Sequence, residues 1–418
     1  MPETRLQHMP ALDGLRAAAV AAVLLYHGDV TWARGGFLGV DAFFVLSGFL
    51  ITSLLLVEWQ ASRNIDLLQF WRRRARRLLP ALFVVLGVVA VFAATWAPAD
   101  TLHRLRWDGF ATLGYVANWR FITSGGSYFA QFASPSPLQH VWSLAIEEQF
   151  YLVWPPAFLL LLRFTRGSRG VLLGITVGLA AASALLMTLL FAPGGDPSRV
   201  YYGTDTRAQS LLIGAALALV LERRRFGVTR IGRTTLHTAA VGAAGVLLWA
   251  WARTADDADW LYRGGLTATA VLVAVVITSV TAATPGPLGR LLSLRPVRWI
   301  GLISYGLYLW HWPVYVVLSA GRTGLDGPAL LAVRLACTVA TATVSYYLVE
   351  LPIRRGALRG WRIRTLTPAA ALGVAAAFVA VTASIPTTGL APEVANAKVG
   401  SAPALASPPS TPPTPGVV

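Results

Sequence analysis

The chain has 418 residues, of which 55% are hydrophobic and only 13% are charged. This composition, with 38 glycines and 25 prolines spread along the chain, excludes a coiled coil or a collagen and is unlike that of a water-soluble domain. The apolar runs recur at about 18 to 24 residues, the length that crosses the hydrocarbon core of a bilayer. We therefore expect a polytopic membrane protein.

The net charge of +16 comes from 35 basic residues, and all but Lys398 are arginines. Such a charge would suit a nucleic-acid-binding protein, but the arginines are concentrated in the connections between apolar runs, so nucleic acid is not expected as a partner. The single cysteine, Cys337, lies inside an apolar run and excludes disulfide scaffolds and cysteine metal sites. No metal site is expected.

Twelve apolar runs are candidate spans. They lie at residues 12–30, 35–57, 78–98, 106–122, 141–163, 170–191, 206–222, 236–253, 264–284, 299–320, 328–350 and 366–386. The first run contains Arg16 and His27 and lacks a small-residue cleavage pattern, so it is interpreted as a retained span and not as a signal peptide.

The arginine-rich connections indicate which side of the membrane each loop occupies. Together with Arg5 and Arg16, five connections hold 24 of the 35 basic residues, whereas the opposite loops carry mostly aspartates. These connections are residues 58–77, 163–170, 223–235, 285–298 and 351–365. Because short cytoplasmic loops are enriched in arginine, this pattern predicts a cytoplasmic N-terminus.

The run 106–122 breaks this alternation. If 78–98 leads outward and 141–163 returns inward, a single run between them cannot span. It is also interrupted by Asp108, Asn118 and Arg120, which favours a re-entrant or outer-surface helix that covers a cavity. Eleven spans remain by this count.

The eleventh span stands apart at residues 361–387 and leads into an external tail. Residues 388–418 are rich in proline, alanine, serine and threonine, a composition typical of a disordered linker. The C-terminus is therefore expected on the external side.

Ionisable residues inside the apolar runs are candidates for a site. His27 follows Arg16 by eleven positions, which places the two on nearly the same helix face about 16 Å apart, so that one cavity could contain both. The alternative is an arginine that extends to the lipid head groups and an interfacial histidine.

Three further runs carry such groups. Asp41 lies near the start of the run 35–57 and is expected to pair with a histidine or an arginine. His311 lies near the middle of the run 299–320 and is therefore expected near mid-depth in the membrane. Glu147 and Glu148 are adjacent and point about 100° apart, so at most one of them faces a shared cavity. The alternative for His311 and the two glutamates is a structural polar core.

A basic run lies on the predicted cytoplasmic side. Arg73 and Arg76, like Arg74 and Arg77, are three positions apart on one helix face, where guanidinium groups suit bidentate contact with phosphates. The alternative is an ordinary anchor on anionic membrane lipid.

The chain resembles the membrane acyltransferase 3 family, bacterial integral-membrane O-acyltransferases, over about residues 8–358. The motifs that carry the resemblance are LDGLR at 12–16 with His27, GVDAFFVLSG at 39–48, FWRRRARRLLP at 70–80, WSLAIEEQFY at 142–151, SYGLYLWH at 304–311 and ELP at 350–352. The resemblance implies an all-α transmembrane helical bundle in the bacterial cytoplasmic (inner) membrane, with residues 1–360 forming a ten-span acyltransferase unit.

The resemblance also implies an activity. The donor would be a cytoplasmic acyl-CoA, most simply acetyl-CoA, and the acceptor a hydroxyl of an envelope glycan, a glycolipid or a secreted metabolite. Arg16 and His27 match the arginine and histidine of the family's first-span motif, and Arg73, Arg74, Arg76 and Arg77 fall where its arginine pair lies. Some relatives continue into an external hydrolase-like domain that completes transfer, but no Gly-Asp-Ser motif follows here.

The residue chemistry suggests how such a reaction would run. A histidine with an unperturbed pKa near 6.5 can accept a proton at neutral pH, so His27 is the expected general base, or is itself acylated. Asp41 or Glu148 would orient the imidazole. The competing hypotheses are a proton-coupled transporter or flippase of lipid-linked sugars, with His27 and Glu147 as a proton relay, and a membrane scaffold.

The predicted topology is testable by labelling. A Ser410→Cys variant should react with a membrane-impermeant maleimide in intact cells, because the tail is expected outside, whereas Gly360→Cys should not react. Labelling of Gly360→Cys with protection of Ser410→Cys would invert the topology and remove the basic run from the cytoplasmic side.

Overall fold

The computed structural model describes residues 8–125, 136–223, 230–357 and 361–383, which contain eighteen α-helices and no β-strand. The all-α class is thereby confirmed. The helices are α1 (Pro10–His27), α2 (Gly39–Ser62), α3 (Leu67–Thr95), α4 (Ala99–Leu113), α5 (Ala117–Thr123), α6 (Val141–Phe164), α7 (Arg169–Leu190), α8 (Ser198–Tyr202), α9 (Thr204–Arg223), α10 (Arg230–Arg253), α11 (Leu266–Val280), α12 (Pro287–Leu292), α13 (Arg295–Leu302), α14 (Ser304–Val317), α15 (Ala320–Thr323), α16 (Gly327–Ser345), α17 (Leu351–Arg355) and α18 (Trp361–Ala383).

Local signals set several helix ends. Pro10 is the first residue of α1, a position whose N–H needs no partner. The side chain of Asp66 caps α3 by accepting a hydrogen bond from the Gln69 amide at 2.9 Å. α2 ends where Arg63 adopts a left-handed φ of 54°. These signals place the apolar runs in helices close to the predicted boundaries.

The run 106–122 is broken in the structure. α4 ends at Leu113, and after Gly114 the residue Tyr115 has a φ of 54°, which stops the helix before α5 begins. α4 has 15 residues and α5 has 7, and about 20 are needed to cross the hydrocarbon core. Neither helix is long enough to span alone, as the alternation of arginines predicted.

The run 299–320, which was expected as one span, is not one continuous helix in the structure. The chain turns at Ile303, between α13 and α14. α13 lies against the start of α1, where Gly301 contacts the backbone of Asp13. Ile303 therefore divides this run into two helices, and its role as a span stays a prediction.

In the described part of the chain, six helical stretches are both long and apolar enough to cross a membrane. They are Gly36–Ser62, Leu67–Thr95, Arg169–Leu190, Ile231–Arg253, Leu261–Val280 and Gly327–Arg355. Among the other predicted spans, α1, α6 and α9 carry ionisable side chains, α14 has 14 residues, and the apolar part of α18 is the shorter stretch Thr365–Val381. The count of eleven spans therefore stays a prediction, as do the domain boundaries, and residues 388–418 lie outside the described residues.

α2 packs along α9 through two glycines. Gly48 lies against the carbonyl of Leu211 and Gly214 lies against the carbonyl of Val45, so that a Cβ atom at either glycine would meet backbone. Small residues let two helix backbones approach this closely. This α2–α9 contact is consequently sensitive to the addition of one methyl group.

We expect Gly48→Ala to lower the free energy of unfolding by about 1–3 kcal/mol, because overpacking forces the two backbones apart. The matched control is Gly87→Ala in α3, where a Cβ atom meets nothing within 4 Å. Alanine there should be neutral or raise stability by up to about 1 kcal/mol. Thermal unfolding in detergent micelles measures both variants, and equal midpoints would contradict the close α2–α9 contact.

Candidate active site

A narrow pocket, here named the arginine pocket, lies between α1, α2, α3, α6 and α14. It has a volume of about 80 Å³, and its lining includes Arg16, Val40, Phe43, Phe44, Ser47, Leu50, Arg74, Arg77, Ser143, Leu144, Glu147, Tyr151, Tyr305 and Tyr308. The three arginines Arg16, Arg74 and Arg77 are part of this lining, and the guanidinium of Arg74 lies 5.1 Å from the ring centre of Tyr151. Its inner end is formed by the early residues of α2 and α6 and by Tyr308.

A second and larger space, here named the wide cavity, has a volume of about 820 Å³. Its lining includes Tyr26, His27, Asp29, Arg34, Arg104, Asp108, Asp256, Trp312, Tyr315, Arg322 and Arg334. α1 connects the two spaces, because Arg16 in its first half lines the arginine pocket and His27 at its end lines the wide cavity. The expectation that one cavity contains both residues is therefore corrected.

Hydrogen bonds join the two spaces. Tyr308 lines the arginine pocket, and its hydroxyl lies 2.6 Å from that of Ser143. The carbonyl of Tyr308 lies 2.6 Å from His311 Nδ1, and His311 Nε2 lies 3.0 Å from His27 Nδ1. Tyr308 and His311 thus lie between the arginine pocket and His27.

These contacts assign the ring tautomers. A carbonyl oxygen only accepts hydrogen bonds, so Nδ1 of His311 must carry the proton that it donates to Tyr308. In neutral His311, Nε2 is then an acceptor, and His27 Nδ1–H donates to it. Neutral His27 therefore keeps its lone pair on Nε2, the nitrogen that can act as a base.

The imidazole of His27 is also fixed by ring contacts. It lies edge to edge with His311, with ring centroids 5.0 Å apart and an interplanar angle of 25°, and the ring centre of Trp312 lies 4.8 Å away. His311 itself is fully buried. The structure thus brings together the two histidines that the sequence predicted for the site, and His311 takes the orienting position that we expected of a carboxylate.

Of the two glutamates, only Glu147 lines the arginine pocket, as the 100° offset between adjacent residues predicts. Its Oε1 accepts hydrogen bonds from the hydroxyls of Ser47 and Tyr151. Among the described residues, Oε1 of Glu148 is buried without a hydrogen-bond partner. The contacts of His27 described above involve neither glutamate.

Asp41 pairs with Arg207, one of the two kinds of partner expected for it. Both side chains are fully buried, with Arg207 Nη2 3.0 Å from Asp41 Oδ2. Ser210 donates to the other carboxylate oxygen at 2.9 Å. Since both oxygens are engaged on the α9 side, Asp41 holds α2 to α9 and does not orient His27, which corrects the alternative role suggested for it.

The basic run divides into two faces. Arg74 and Arg77 line the arginine pocket, and the guanidinium of Arg74 lies 5.1 Å from the ring centre of Tyr151. Arg73 is exposed and lies 3.6 Å from Glu58, and neither Arg73 nor Arg76 lines the pocket. The pocket-facing pair of the basic run is therefore Arg74 with Arg77.

Several residues of the site were missed by the sequence argument. His140 is buried, its Nε2 lies 3.1 Å from the Leu309 carbonyl, and its ring centre is 5.4 Å from that of His311. Tyr308, Ser143 and Arg207 were not selected either. Only the position in the sequence could have indicated these residues. His140 and Ser143 lie on either side of Trp142 at the start of α6, and Tyr308 precedes His311 by about one helical turn.

Within the described residues, no group of three or more histidine, cysteine, aspartate or glutamate side chains lies close enough together to hold a metal ion. Cationic side chains line both cavities: Arg16, Arg74 and Arg77 line the arginine pocket, and Arg34, Arg104, Arg322 and Arg334 line the wide cavity.

A protein-family model described as an acyltransferase domain matches residues 9–350. Peptidoglycan O-acetyltransferase OatA of Listeria monocytogenes is 43% identical over 353 residues, which cover 84% of this chain and 56% of the relative. Putative peptidoglycan O-acetyltransferase YrhL of Bacillus subtilis is 44% identical over 363 residues, or 86% of this chain and 57% of the relative. O-acetyltransferase OatA of Staphylococcus aureus is 37% identical over 353 residues, or 84% and 58%.

The chain thus spans little more than half the length of these relatives. No solved structure is significantly similar to it. The family match covers most of the chain and includes His27, His311 and all three arginines of the arginine pocket. The chain therefore belongs to the membrane acyltransferase 3 family.

Proposed function

We propose that the protein is an O-acetyltransferase of the bacterial cytoplasmic membrane that moves an acetyl group from cytoplasmic acetyl-CoA to a hydroxyl of an envelope glycan or glycolipid. The observation that carries the proposal is the hydrogen-bonded path from Tyr308 through His311 to His27, which lies between a basic pocket and a separate wide cavity. The names of the relatives favour peptidoglycan as the acceptor.

The donor would enter at the mouth of the arginine pocket. Arg16, Arg74 and Arg77 present guanidinium groups there, and these bind phosphate oxygens in a bidentate manner. The acyl end of the donor would enter the pocket, where Phe43, Phe44 and other nonpolar side chains surround the acyl group. The N-terminus and the arginine-rich connections would then be cytoplasmic, and the wide cavity and the C-terminus external.

The acceptor hydroxyl would bind in the wide cavity beside His27. Nε2 of His27 removes the hydroxyl proton as the oxygen attacks the thioester carbonyl. The new ester bond forms as the carbon–sulfur bond breaks, and the CoA thiolate leaves with the proton returned by His27. His311 accepts from His27 Nδ1 and so fixes the ring in the tautomer that this step needs.

The wide cavity suits a sugar acceptor by its size and polarity. Its lining carries both aspartates and arginines, which can exchange hydrogen bonds with ring hydroxyls. The proposal includes a two-step route to the glycan. In this route an external hydrolase-like domain or protein first accepts the acetyl group and then passes it to the glycan.

The proposal is tested with inverted membrane vesicles that contain the protein and are given radiolabelled acetyl-CoA. We expect label to accumulate in glycan or in an accessory acceptor on the lumenal side. Movement of lipid-linked sugar without any acetylation would instead identify a transporter or flippase.

We expect His27→Ala to lower the rate of acetyl transfer by about 10²- to 10⁴-fold, because the general base is lost. The matched control is His237→Ala, since His237 belongs to α10 and bonds Ser279 at 2.8 Å, away from both cavities. The control should retain the parent rate at equal expression. A His27→Ala rate within threefold of the parent would remove His27 from the mechanism.

The two faces of the basic run give a second prediction. The double variant Arg74→Gln, Arg77→Gln should raise the apparent KM for acetyl-CoA at least tenfold, because guanidinium groups that face the pocket are lost. The double variant Arg73→Gln, Arg76→Gln removes the same charge from the other face and should change that KM less than twofold. Equal effects of the two variants would indicate a general attraction to the membrane surface.

A further inference from the structure

The C-terminal end of α14 holds two arginines at the wide cavity. Arg334 of α16 donates from Nε to the Leu318 carbonyl at 2.9 Å and from Nη2 to the Tyr315 carbonyl at 3.2 Å. Arg322 of α15 donates from Nη1 to two carbonyls of the last turn of α14, at 3.2 and 3.4 Å. The last carbonyls of a helix lack partners within it and carry partial negative charge, so they stabilise both cations. Two helices thus bring a guanidinium group to the same helix end.

Each guanidinium group also lies over an aromatic ring of the cavity wall. The central carbon of the Arg322 guanidinium is 5.3 Å from the ring centre of Phe92, and that of Arg334 is 5.1 Å from the ring centre of Tyr315. All four side chains line the wide cavity. Because the faces contact rings and the edges bond carbonyls, both groups are oriented before any ligand binds, which lowers the entropic cost of binding.

These contacts use only part of each guanidinium group. A guanidinium has five N–H donors in a fixed fork, and the carbonyl bonds engage Nε and Nη2 of Arg334 but only Nη1 of Arg322. In the part of the chain that the structure describes, neither arginine forms an ion pair with a carboxylate. A planar fork of this kind matches the oxygens of a phosphate or a carboxylate.

Three aspartates line the same cavity, and two of them are engaged elsewhere. Asp256 accepts a hydrogen bond from a tyrosine hydroxyl at 2.6 Å, and Asp108 lies 3.6 Å from an arginine of α5. The third, Asp29, is close enough to Arg334 to be attracted by its charge, but the two do not form an ion pair. The guanidinium groups at the end of α14 are therefore open to an anion that enters the cavity.

Tyr315 connects this end of the cavity with the histidines. Its ring centre lies 5.8 Å from that of His311, which contacts His27. Its hydroxyl donates to the Leu24 carbonyl at 3.2 Å, three residues before His27 on α1. His27 and both arginines line one cavity, so a molecule held by the arginines can present a hydroxyl to His27.

We propose that Arg322 and Arg334 form a subsite for an anionic group, a phosphate or a carboxylate, of the acceptor whose hydroxyl is acetylated at His27. This inference rests on the proposed function and adds to it the charge of the acceptor. Hydrogen bonds between ionised groups are roughly twice as strong as those between neutral groups, so the subsite selects an anionic glycan or glycolipid over a neutral one with the same sugars.

The test measures binding and transfer separately, with the full chain purified in detergent micelles. The probes are an N-acetylated disaccharide, the same disaccharide with a reducing-end phosphate, and one with a carboxylate at that end. Titration calorimetry without acetyl-CoA gives the affinities, and radiolabelled acetyl-CoA gives kcat and the KM of each acceptor. The parent should bind at least one charged probe about tenfold or more tightly than the neutral probe. The charged probe that binds more tightly identifies the anionic group.

The double variant Arg322→Gln, Arg334→Gln should lose this preference. Its affinity for the charged probe should fall about tenfold or more, while its affinity for the neutral probe changes less than about twofold. Arg334→Lys keeps the charge but not the fork and should give an intermediate affinity. If the double variant fails to fold, Arg322→Gln alone, which changes an exposed side chain, should still weaken binding of the charged probe about threefold or more.

The matched control is Arg253→Gln. Arg253 is also exposed at a helix C-terminus, that of α10, but lines neither cavity, so this variant should keep the parent preference. Equal affinity of the parent for charged and neutral probes, or a preference retained by the double variant, would overturn the subsite. A higher KM for acetyl-CoA in the double variant, with unchanged binding of the charged probe, would assign the arginines to the donor and overturn it too. Charged probes that bind with the expected preference but are never acetylated would overturn the proposed function and not the subsite.

Discussion

The structure depends on the requirement that a charge buried within a helical bundle must be paired there. Arg207 and Asp41 are both fully buried, and each lies on a helix of the α2–α9 contact, where Gly48 and Gly214 let the backbones approach. Removal of one partner from a buried ion pair typically costs about 3–5 kcal/mol, because the other charge is left unpaired. The pair thus ties the position of α2 to that of α9.

This constraint reaches the site through α2. Phe43 and Phe44, which follow Asp41 by two and three residues, line the arginine pocket. The guanidinium of Arg207 also lies 6.0 Å from the ring centre of Trp142, which is adjacent to Ser143 on α6. The ion pair therefore supports both α2 and α6, and the geometry between Ser143, Tyr308 and the histidines depends on those helices.

α1 sets the distance between the two cavities of the site. It carries a cationic side chain in one cavity and an imidazole in the other, so one rigid helix sets the separation between the place that suits a phosphate donor and the place that suits a proton acceptor. Tyr308 and His311 lie between these places on α14. The transfer proposed above would join reactants from two sides of a membrane, and it would pass from the arginine pocket to the wide cavity at Tyr308 and His311.

The sequence by itself determined which segments are helical and predicted that the run 106–122 does not span. The length of an apolar run and the net charge of a loop are local properties, so both can be read without the tertiary structure. Helical periodicity also predicted that only one of Glu147 and Glu148 would face a cavity. The motifs that carry Arg16, His27 and His311 were sufficient to suggest the family that the comparisons later established. What lies beside each of these residues was decided only by the tertiary structure.

Periodicity gives the face and the depth of a residue on its own helix, but it does not give the rotation of one helix relative to the next. For that reason the partner of Asp41, found 166 positions away at Arg207, could not be chosen in advance between histidine and arginine. The same limit explains why His140 and Tyr308 were missed, why Arg74 and Arg77 could not be separated from Arg73 and Arg76, and why Arg16 and His27 were expected in one cavity. Packing of helices that are distant in sequence sets all of these relations.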